Sequence, residues 1–412
     1  MQDKIRSDLI QIFNHGIDRV RGRQAVVADL QNHPPSAENL YLIAIGKAAS
    51  DMTLGALDVL GTRIKDGLVI TKHRHAAAEL HENNLIEVIE SDHPVPTETS
   101  LQAGQRLLTY LQERANPDAH FLFLLSGGAS SLVEVLPAGM GLDDLKNITR
   151  LLLAKGLDIG RMNLVRQAVS CIKGGRLAAK LNGAKVLNLM ISDVPGDDPS
   201  IIGSGLLNPS ATKIDLQNYP QEIRAYLNDI ELVAVPDADA FKFIDTRIVA
   251  RLDDAKEACV NKATALAYDA HAIADFVDGD VNEVAARLCN TLFNSEHRLL
   301  VWGGEPSMNL PPSPGRGGRN QHLALLIAEK ISNKDGIYFM VAGTDGSDGP
   351  TTDAGALVDG STKTRGLSMG LDIAHSLATA DSGSFLEQTN DLISTGPTGT
   401  NVMDLMIGLK RD

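Results

Sequence analysis

The sequence predicts an α/β protein that is built mainly from parallel strands. Short apolar runs alternate with amphipathic segments of helix length along most of the chain, which is the pattern of strand–helix–strand units. The runs are apolar at nearly every position, as expected for strands that are buried on both faces of a parallel sheet. The 37 glycines and the low aromatic content of 4% fit a protein with many tight loops.

The first half of the chain shows this alternation most clearly. An amphipathic helix is predicted over residues 3–22, because Ile5, Leu9 and Ile12 recur on one face. Apolar runs then predict strands at 40–45, 67–71, 85–89, 120–125 and 185–191. Helical periodicity predicts helices at 47–60, 99–114, 142–153 and 165–181.

The middle of the chain contains the predicted domain junction. Between residues 206 and 239 the periodicity weakens and three prolines interrupt it. We therefore divide the chain into an N-terminal domain, residues 1–230, with a Rossmann-like doubly wound sheet, and a smaller C-terminal α/β domain, residues 231–412. In the second domain the pattern predicts strands at 246–252, 272–277, 298–302 and 336–341, and helices at 255–268, 281–293 and 322–331.

Composition restricts the function classes. The 412 residues carry a net charge of −14, which argues against a nucleic-acid-binding protein because phosphate contacts need clustered Lys and Arg. A small anionic substrate remains compatible, since a few arginines can reverse the field inside a cleft. No apolar stretch approaches the roughly 20 residues that span a bilayer, and the first residues do not resemble a signal peptide. The three cysteines have no metal-ligand spacing, so a cytoplasmic protein with reduced thiols is expected.

Polar, glycine-rich loops follow five of the predicted strands. The carboxyl ends of parallel strands share one edge of a sheet, so the loops of one domain can converge on one crevice. The most informative loop is A-G-T-D-G-S-D-G-P-T-T-D-A-G at 342–355, which holds Asp345, Asp348 and Asp353. By itself this segment could be a solvated turn or a site, and its position after a strand favours a site.

Two loops of the first domain suit an anion. Lys47 stands where a helix begins, and such a position favours bound anions. The S-G-G-A-S-S loop offers backbone N–H groups at Gly127 and Gly128 and hydroxyls at Ser126, Ser130 and Ser131. The G-x-x-x-x-G-K-[ST] pattern of a Walker loop is absent, and so is the dinucleotide G-x-G-x-x-G, which argues against hydride transfer.

Charged residues in the other loops complete the candidate set. Lys173 and Arg176 flank a Gly-Gly pair, and Arg316 and Arg319 lie in the glycine-rich stretch at 315–321, where they can grip carboxylate or phosphate. Asp193, like Asp345 and Asp348, is a candidate for Mg²⁺ binding or for a general base. His93 and His322 receive no chemical role. These residue types together predict phosphoryl transfer to a small acid.

Motifs in order along nearly the whole chain resemble a known family. They are I-G-K-A-A at 45–49, H-P-V-P at 93–96, S-G-G-A-S-S at 126–131, I-K-G-G-R-L-A at 172–178, S-D-V-P-G-D-D at 192–198, G-G-E at 303–305, G-R-G-G-R-N-Q at 315–321, the Asp-rich loop at 342–355, and T-G-P-T-G-T-N-V at 395–402. This series resembles the class II glycerate kinases, the glycerate 2-kinase family with a C-terminal MOFRL domain.

The resemblance implies phosphorylation of D-glycerate to 2-phosphoglycerate with ATP and Mg²⁺, in a cleft between two α/β domains. It implies that Lys47 and Arg319 stabilise the transferring phosphoryl group, and that the Ser126 loop cradles phosphate or substrate. It places Asp193 and the Asp345 loop less specifically, as metal or substrate contacts. The oligomeric state stays open, and a homo-oligomer is one possibility. The nucleotide preference stays open as well.

Three positions depart from the family pattern and leave alternatives open. Leu206 replaces the proline of a usual S-G-P, and Pro306 and Ser307 stand where two threonines are common. These changes bear on the acceptor, so a kinase of a related small hydroxy acid is an alternative. A hydroxypyruvate reductase and a non-catalytic metabolite sensor are the other two.

Overall fold

The structure is a computed structural model that describes residues 2–209, 214–228, 230 and 232–411, apart from the side chains of residues 2, 3 and 159. Residues 1, 231 and 412, which bound the predicted domains, lie outside these ranges. Contacts between Cα atoms divide the chain into two compact units. The first is Gly22–Val249, and the second combines Met1–Arg21 with Ala250–Asp412.

The Gly22–Val249 unit contains one six-stranded sheet in the order β3-β2-β1-β4-β5-β6. Strands β1 to β5 pair in parallel. This order is that of a Rossmann-type doubly wound sheet, which confirms the predicted class. Its elements are α2 (Gly22–Asn32), β1 (Leu40–Ile45), α3 (Ala49–Leu60), β2 (Ile64–Lys72), α4 (Ala78–His81), β3 (Ile86–Ser91), α5 (Glu98–Arg114), β4 (His120–Leu125), α6 (Ala129–Leu132), α7 (Leu142–Ala154), α8 (Ile159–Ala168), β5 (Lys185–Ile191), α9 (Gln221–Asn228) and β6 (Ile244–Ala250).

The main core of this unit lies along the sheet and includes Ile43, Leu68 and Phe123, which are fully buried. A second apolar cluster joins α7, α8 and the segment around α9, and it includes the fully buried Ile148 and Val165. The weak periodicity between 206 and 239 therefore does not mark the junction between the two units. It marks irregular chain, within the described residues, that packs on this helical cluster.

The second unit contains a mixed six-stranded sheet in the order β11-β10-β9-β12-β8-β7. Only β7 and β8 pair in parallel, and the other described pairs are antiparallel. Its elements are α1 (Gln2–Val20), α10 (Leu252–Ala265), β7 (Ala270–Val277), α11 (Val281–Asn294), β8 (Leu299–Gly304), α12 (Arg319–Lys330), β9 (Ile337–Gly343), β10 (Gly355–Asp359), α13 (Thr362–Ser368), α14 (Ile373–Ala378), α15 (Ser382–Gln388), β11 (Leu392–Ile393) and β12 (Asp404–Lys410).

Helix α1 belongs to this second unit, although it opens the chain. It packs against α10, and the crossing is so close that a Cβ on Gly16 would lie 2.4 Å from the Cys259 Sγ. Arg6 adds ion pairs to Asp359 at 3.0 Å and to Asp391 at 2.9 Å. The division into two units thus differs from the predicted domains, 1–230 and 231–412, in two places. Helix α1 belongs to the second unit, and β6 extends the sheet of the first.

Two predicted helices differ from the structure. The first helix ends at Val20, and it is followed by α2, for which the sequence carries no predicted helix. The predicted helix at 165–181 is wrong, because α8 ends at Ala168 and only a 3₁₀ turn covers Arg176–Leu181. Gly174 and Gly175 adopt φ values of 59° and 83°, and such left-handed backbone interrupts a helix. Among the described residues, no helix is long and apolar enough to cross a membrane.

Candidate active site

The strand order places two of the predicted loops side by side. From β1 the chain moves outward through β2 and β3, and it then returns to β4 on the other side of β1. The carboxyl ends of β1 and β4 therefore form the topological switch point, where α/β sheets usually bind ligands. Gly46 and Lys47 follow β1, and Ser126 and Gly127 follow β4.

Hydrogen bonds join these two loops into one structure. The Lys47 N–H donates to the Gly127 carbonyl at 2.9 Å, and the Ser126 N–H donates to the Ile45 carbonyl at 3.1 Å. The Ala48 N–H donates to the buried Ser126 Oγ at 3.1 Å. Gly46 has a φ of 135°, and a Cβ there would lie 2.1 Å from that Oγ. The Ser126 hydroxyl thus holds the two loops together.

Lys47, Gly128 and His93 lie next to one another. A Cβ on Gly128 would lie 3.2 Å from the Lys47 Cγ and 3.0 Å from the His93 Cδ2. Gly128 also has a φ of 87°, a left-handed conformation that favours glycine. The half-buried Lys47 and the His93 imidazole therefore approach the backbone of the S-G-G-A-S-S loop closely.

A cavity of about 630 Å³ lies within this unit, next to the loops. This volume is in the range of small-molecule sites. One part of its wall comes from strand-end loops and includes His93, Gly128, Ser130, Ser131 and Asp193. The other part comes from α7 and α8 and includes Leu145, Lys146, Thr149, Arg150, Leu153 and Arg166.

The cavity wall carries more positive than negative charge. Its basic groups are Lys146, Arg150, Arg166 and Lys173, and its acidic groups are Glu134 and Asp193. The wall is therefore net positive in a chain whose net charge is −14. A local excess of this sign attracts a small anion.

Lys173 is largely neutralised by a buried partner. Its Nζ donates to the Glu134 carboxylate, and the two side chains are only 3% and 1% exposed. The Ser170 hydroxyl donates to the other Glu134 oxygen at 2.6 Å. Lys173 and Glu134 both line the cavity, so this network forms part of its wall. The contact of Lys173 with an anion stays a prediction, and the ion pair gives Lys173 a structural role as well.

Arg176 donates its side-chain hydrogen bonds to backbone carbonyls and is not among the residues that line the cavity. Its guanidinium donates to the Val233 carbonyl at 2.6 and 3.0 Å and to the Lys173 carbonyl at 2.9 Å. Burial lowers the pKa of Arg176. These contacts favour a structural role in fixing the loop that carries Lys173.

In the second unit, Arg319 is the first residue of α12 and is held by two carboxylates. Its Nε donates to Asp404 and its Nη1 to Glu305, both at 2.8 Å. Burial alone would lower the pKa of Arg319, but these carboxylates raise it above its usual range. Burial raises the pKa of Asp404, and the Arg319 charge partly offsets that rise. The side chain of Arg319 is 33% exposed, so it is oriented and still accessible.

Asp348 caps the helix that Arg319 begins. Its two carboxylate oxygens accept the N–H groups of Asn320 at 3.0 Å and Gln321 at 2.8 Å. A Cβ on Gly318 would lie 2.3 Å from the Asp348 Cγ, so the chain passes too close for any other residue. Burial raises the pKa of Asp348 to about 7, although the two N–H donors act in the opposite direction. This geometry favours a cap over the predicted metal contact.

The other charged residues of the Asp-rich loop are also engaged. The Asp345 carboxylate accepts the Ser347 N–H and hydroxyl, both at 3.0 Å, and remains half-buried. Arg316 donates to Asp353 at 3.0 Å and to Glu387 at 2.5 Å. The loop thus combines a helix cap, an internal turn and an ion pair.

The described residues contain no group of three or more His, Cys, Asp or Glu side chains placed to hold a metal ion. A nucleotide-bound Mg²⁺ does not need such a group, because it takes one or two carboxylates plus phosphate oxygens and water. Asp193 lines the basic cavity and fits that mode of binding.

Sequence reasoning missed part of the cavity wall. Lys146, Thr149 and Arg150 lie on α7, where they read as the solvated face of an amphipathic helix. The sequence gives His93 no predicted role, because a lone histidine carries little signal. The sequence signal that could have found it is its position directly after β3, in a loop rich in prolines.

The Rossmann-type sheet, the joined loops at its switch point and the basic cavity define an α/β protein with a site suited to a small anionic ligand. The family profile described as a domain of unknown function, DUF4147, matches residues 8–237, and that of the MOFRL family matches residues 298–404. The chain belongs to the glycerate 2-kinase family with a MOFRL domain.

Individual relatives cover nearly the whole chain. It is 33% identical to the D-glycerate 2-kinase of Thermotoga maritima over 99% of both chains. It is 32% identical to the glycerate 2-kinase of Pyrococcus horikoshii, over 90% of this chain and 87% of that one. The crystal structure of glycerate kinase from Thermotoga maritima superimposes with a TM-score of 0.85, at 32% identity, over 99% of this chain and 100% of that one.

Proposed function

We propose that this protein is an ATP-dependent kinase that transfers the γ-phosphoryl group to the 2-hydroxyl of D-glycerate and releases 2-phosphoglycerate and ADP. The observation that carries the proposal is a net-positive cavity beside the switch-point loops, in a chain that matches glycerate 2-kinases over nearly its full length. An acceptor with a carboxylate and a nucleotide with phosphates are both anions, so this charge suits both substrates.

Lys47 is proposed to stabilise the transferring phosphoryl group. The backbone bonds on both sides of it fix the loop, so the ammonium group starts from a pre-organised position. In the reaction the oxygen of the 2-hydroxyl attacks the γ-phosphorus, and the bond to ADP breaks. Most of the catalytic effect is then positioning and charge stabilisation, which a lysine supplies as a compact cation.

Asp193 is proposed to hold Mg²⁺ through one carboxylate when the nucleotide is present. When bound, the ion would neutralise phosphate charge. The proton that leaves the 2-hydroxyl needs an acceptor within hydrogen-bonding reach. The Asp193 carboxylate and the His93 imidazole both line the cavity and are the candidates for that acceptor.

The catalytic role of Arg319 and the substrate contact of Arg316 stay predictions. Arg319 has the accessibility and the fixed orientation that such a role needs, but both arginines have carboxylate partners in their own unit. For the Ser126 loop, Gly128, Ser130 and Ser131 line the cavity and support a phosphate or substrate contact. Ser126 and Gly127 support it indirectly, by fixing the loop.

The departures from the family pattern do not fall on the cavity wall. Leu206 is fully buried in the main core, and Pro306 is buried. Ser307 is exposed, and its N–H donates to the Gly279 carbonyl at 2.8 Å. This distribution favours glycerate over a related acid as the acceptor.

A hydroxypyruvate reductase is the second candidate, because some relatives carry that name provisionally. A nicotinamide enzyme with this sheet order would be expected to carry G-x-G-x-x-G after β1. This chain reads Gly46-Lys47-Ala48-Ala49 there. Lys47 stands at a position where the fingerprint accepts any residue, but Ala48 occupies the position of the second glycine. This difference disfavours the reductase.

The experiment is ATP consumption by the purified protein with a panel of small hydroxy acids, with the phosphorylated position identified by phosphorus NMR. We expect D-glycerate to be the preferred acceptor and Mg²⁺ to be required. Oxidation of NADH with hydroxypyruvate, and no ATP turnover with any acid, would replace the kinase by the reductase.

A cytoplasmic location is also proposed. The three cysteines are free thiols, and Cys259 and Cys289 are buried. Free thiols of this kind are usual in a reducing compartment. The oligomeric state stays open.

A further inference from the structure

We propose that Arg166 binds the carboxylate of the acceptor and thereby makes the enzyme select hydroxy acids over neutral polyols. This inference rests on the proposed kinase function, and it assigns one residue of the cavity wall to one group of the substrate.

Among the residues that the structure describes, Arg166 is a cation without a carboxylate partner. It lies on α8, is half-buried, and lines the cavity. Across the described part of the chain, no carboxylate oxygen comes within 4.0 Å of its guanidinium and its side chain makes no hydrogen bond there. Burial lowers the pKa of this group, with no opposing charge nearby. A partly desolvated charge of this kind is stabilised by a ligand of opposite sign.

The other cations of the cavity differ from Arg166. Lys173 is paired with Glu134 in a buried ion pair. Arg150 is exposed and donates to the Asn147 side chain at 2.9 Å. Lys146 is half-buried, but an ammonium group cannot make the two parallel hydrogen bonds that a planar guanidinium offers to a carboxylate. Arg166 is thus the cation of this wall best suited to a carboxylate.

The position of Arg166 is set by its neighbour. The Gln167 Nε2 donates to the carbonyls of Ser200 and Ser204, at 3.3 Å each. The Ser204 hydroxyl in turn donates to the Ser130 Oγ at 2.7 Å. Helix α8 is therefore tied to the same loop residue that lines the cavity on the strand side. A ligand that contacts both Ser130 and Arg166 would therefore bind to residues whose relative positions are fixed by hydrogen bonds.

The carboxylate is favoured over a nucleotide phosphate because of where the groups lie. Lys47 and the glycine loop stand at the carboxyl ends of β1 and β4, where phosphates are usually bound. Arg166 stands on the helical wall, which belongs to the separate apolar cluster of α7 and α8. An acceptor held by its carboxylate on that wall can turn its hydroxyl toward the loops.

The test compares Arg166→Gln and Arg166→Lys with Arg224→Gln, which removes an exposed charge from α9 of the same unit. Steady-state rates give KM for D-glycerate, for glyceramide, in which an amide replaces the carboxylate, and for ATP. Calorimetry gives the Kd of D-glycerate without nucleotide. Circular dichroism and thermal unfolding show whether each variant is folded. If Arg166→Gln does not fold, Arg166→Lys, which keeps the charge, carries the test.

In Arg166→Gln we expect KM and Kd for D-glycerate to rise about 100-fold or more, as for the loss of a charged bidentate contact. KM for ATP and for glyceramide should stay within about threefold of wild type, so the preference for the acid collapses. Arg166→Lys should recover part of the loss, and Arg224→Gln should match wild type.

A rise in KM for ATP with an unchanged KM for glycerate would overturn the inference and assign Arg166 to the nucleotide. An unchanged preference for glycerate over glyceramide would overturn it as well. If wild type binds glycerate through Arg166 but transfers no phosphoryl group, the inference holds and the kinase proposal fails. If wild type does not bind glycerate, both fail.

Discussion

The backbone N–H of Ala48 donates a hydrogen bond of 3.1 Å to the Ser126 Oγ, and both groups are buried. These residues are 78 positions apart and follow adjacent parallel strands. The bond makes the loops after β1 and β4 one structural element. Any change that separates the two loops should therefore disturb the position of Lys47.

Gly46→Ala should destabilise the protein and remove activity. The added Cβ would lie 2.1 Å from the Ser126 Oγ at a φ of 135°, so the two loops must move apart. We expect a loss of about 2 kcal/mol or more in the free energy of unfolding. Gly61→Ala is the matched control, because its φ of 51° is also positive but nothing lies within 4 Å. Equal losses in the two variants would contradict the clash.

Lys47→Ala should remove turnover while leaving the fold unchanged. The side chain is half-buried, and the hydrogen bonds that join the two loops come from backbone groups and from the Ser126 hydroxyl, so truncation of Lys47 leaves them in place. We expect kcat to fall by about 10³-fold or more, as for other electrostatic contacts to a transferring group. Single-turnover kinetics measure this effect, and Lys65→Ala, on the exposed side of β2, is the control. Activity near that of wild type would refute the assigned role.

Arg319→Ala should also remove turnover, but with a structural cost. The Asp404 side chain is 4% exposed and would lose its ion-pair partner. Leaving such a carboxylate unpaired costs about 3 kcal/mol. The double variant Arg319→Ala with Asp404→Asn should recover stability but not turnover. Recovery of both would show that Arg319 acts only through the fold.

Lys173→Met should destabilise the protein by about 3–5 kcal/mol, because it leaves the Glu134 carboxylate buried and unpaired. Urea unfolding measures the loss. Adding Glu134→Gln should return part of it, since the amide carries no charge. Lys155→Met breaks the exposed pair with Glu222 and should change stability by less than about 1 kcal/mol. A small effect of Lys173→Met would contradict the buried pair.

Asp348 should make stability fall as pH rises. Its pKa is about 7 in the folded protein, against about 3.9 for an ordinary aspartate, so the folded state holds an extra proton between these values. The free energy of unfolding should then decrease by up to about 1.4 kcal/mol per pH unit over this window. Burial also raises the pKa of Asp404, which adds an effect of the same sign.

The comparison of Asp348→Asn with wild type isolates this effect. Urea unfolding at a series of pH values should show a shallower fall for Asp348→Asn, even though the amide can cap only one of the two N–H groups. The exposed Asp335→Asn should keep the wild-type slope. Identical slopes for all three proteins would show that Asp348 is not the titrating group.

The sequence by itself determined the parallel sheet and the loops that matter. The strands Leu40–Ile45, His120–Leu125 and Lys185–Ile191 coincide with the predicted runs, because strands that are buried on both faces must be apolar at nearly every position. The glycine-rich loops after them could be read in the same way, since left-handed backbone and close approach require glycine.

Only the tertiary structure decided which charged residues remain available. Lys173 and Arg166 carry the same charge seven positions apart, yet Lys173 is neutralised by Glu134, which is 39 positions away. Arg166 lines the cavity and has no carboxylate partner within the described ranges of the chain. Asp348 looks like a metal ligand in sequence and caps a helix that begins 29 positions earlier. Partners that are distant along the chain leave no local pattern. Strand β12 is not predicted from the sequence for the same reason, because its place between β8 and β9 depends on pairing across the sheet.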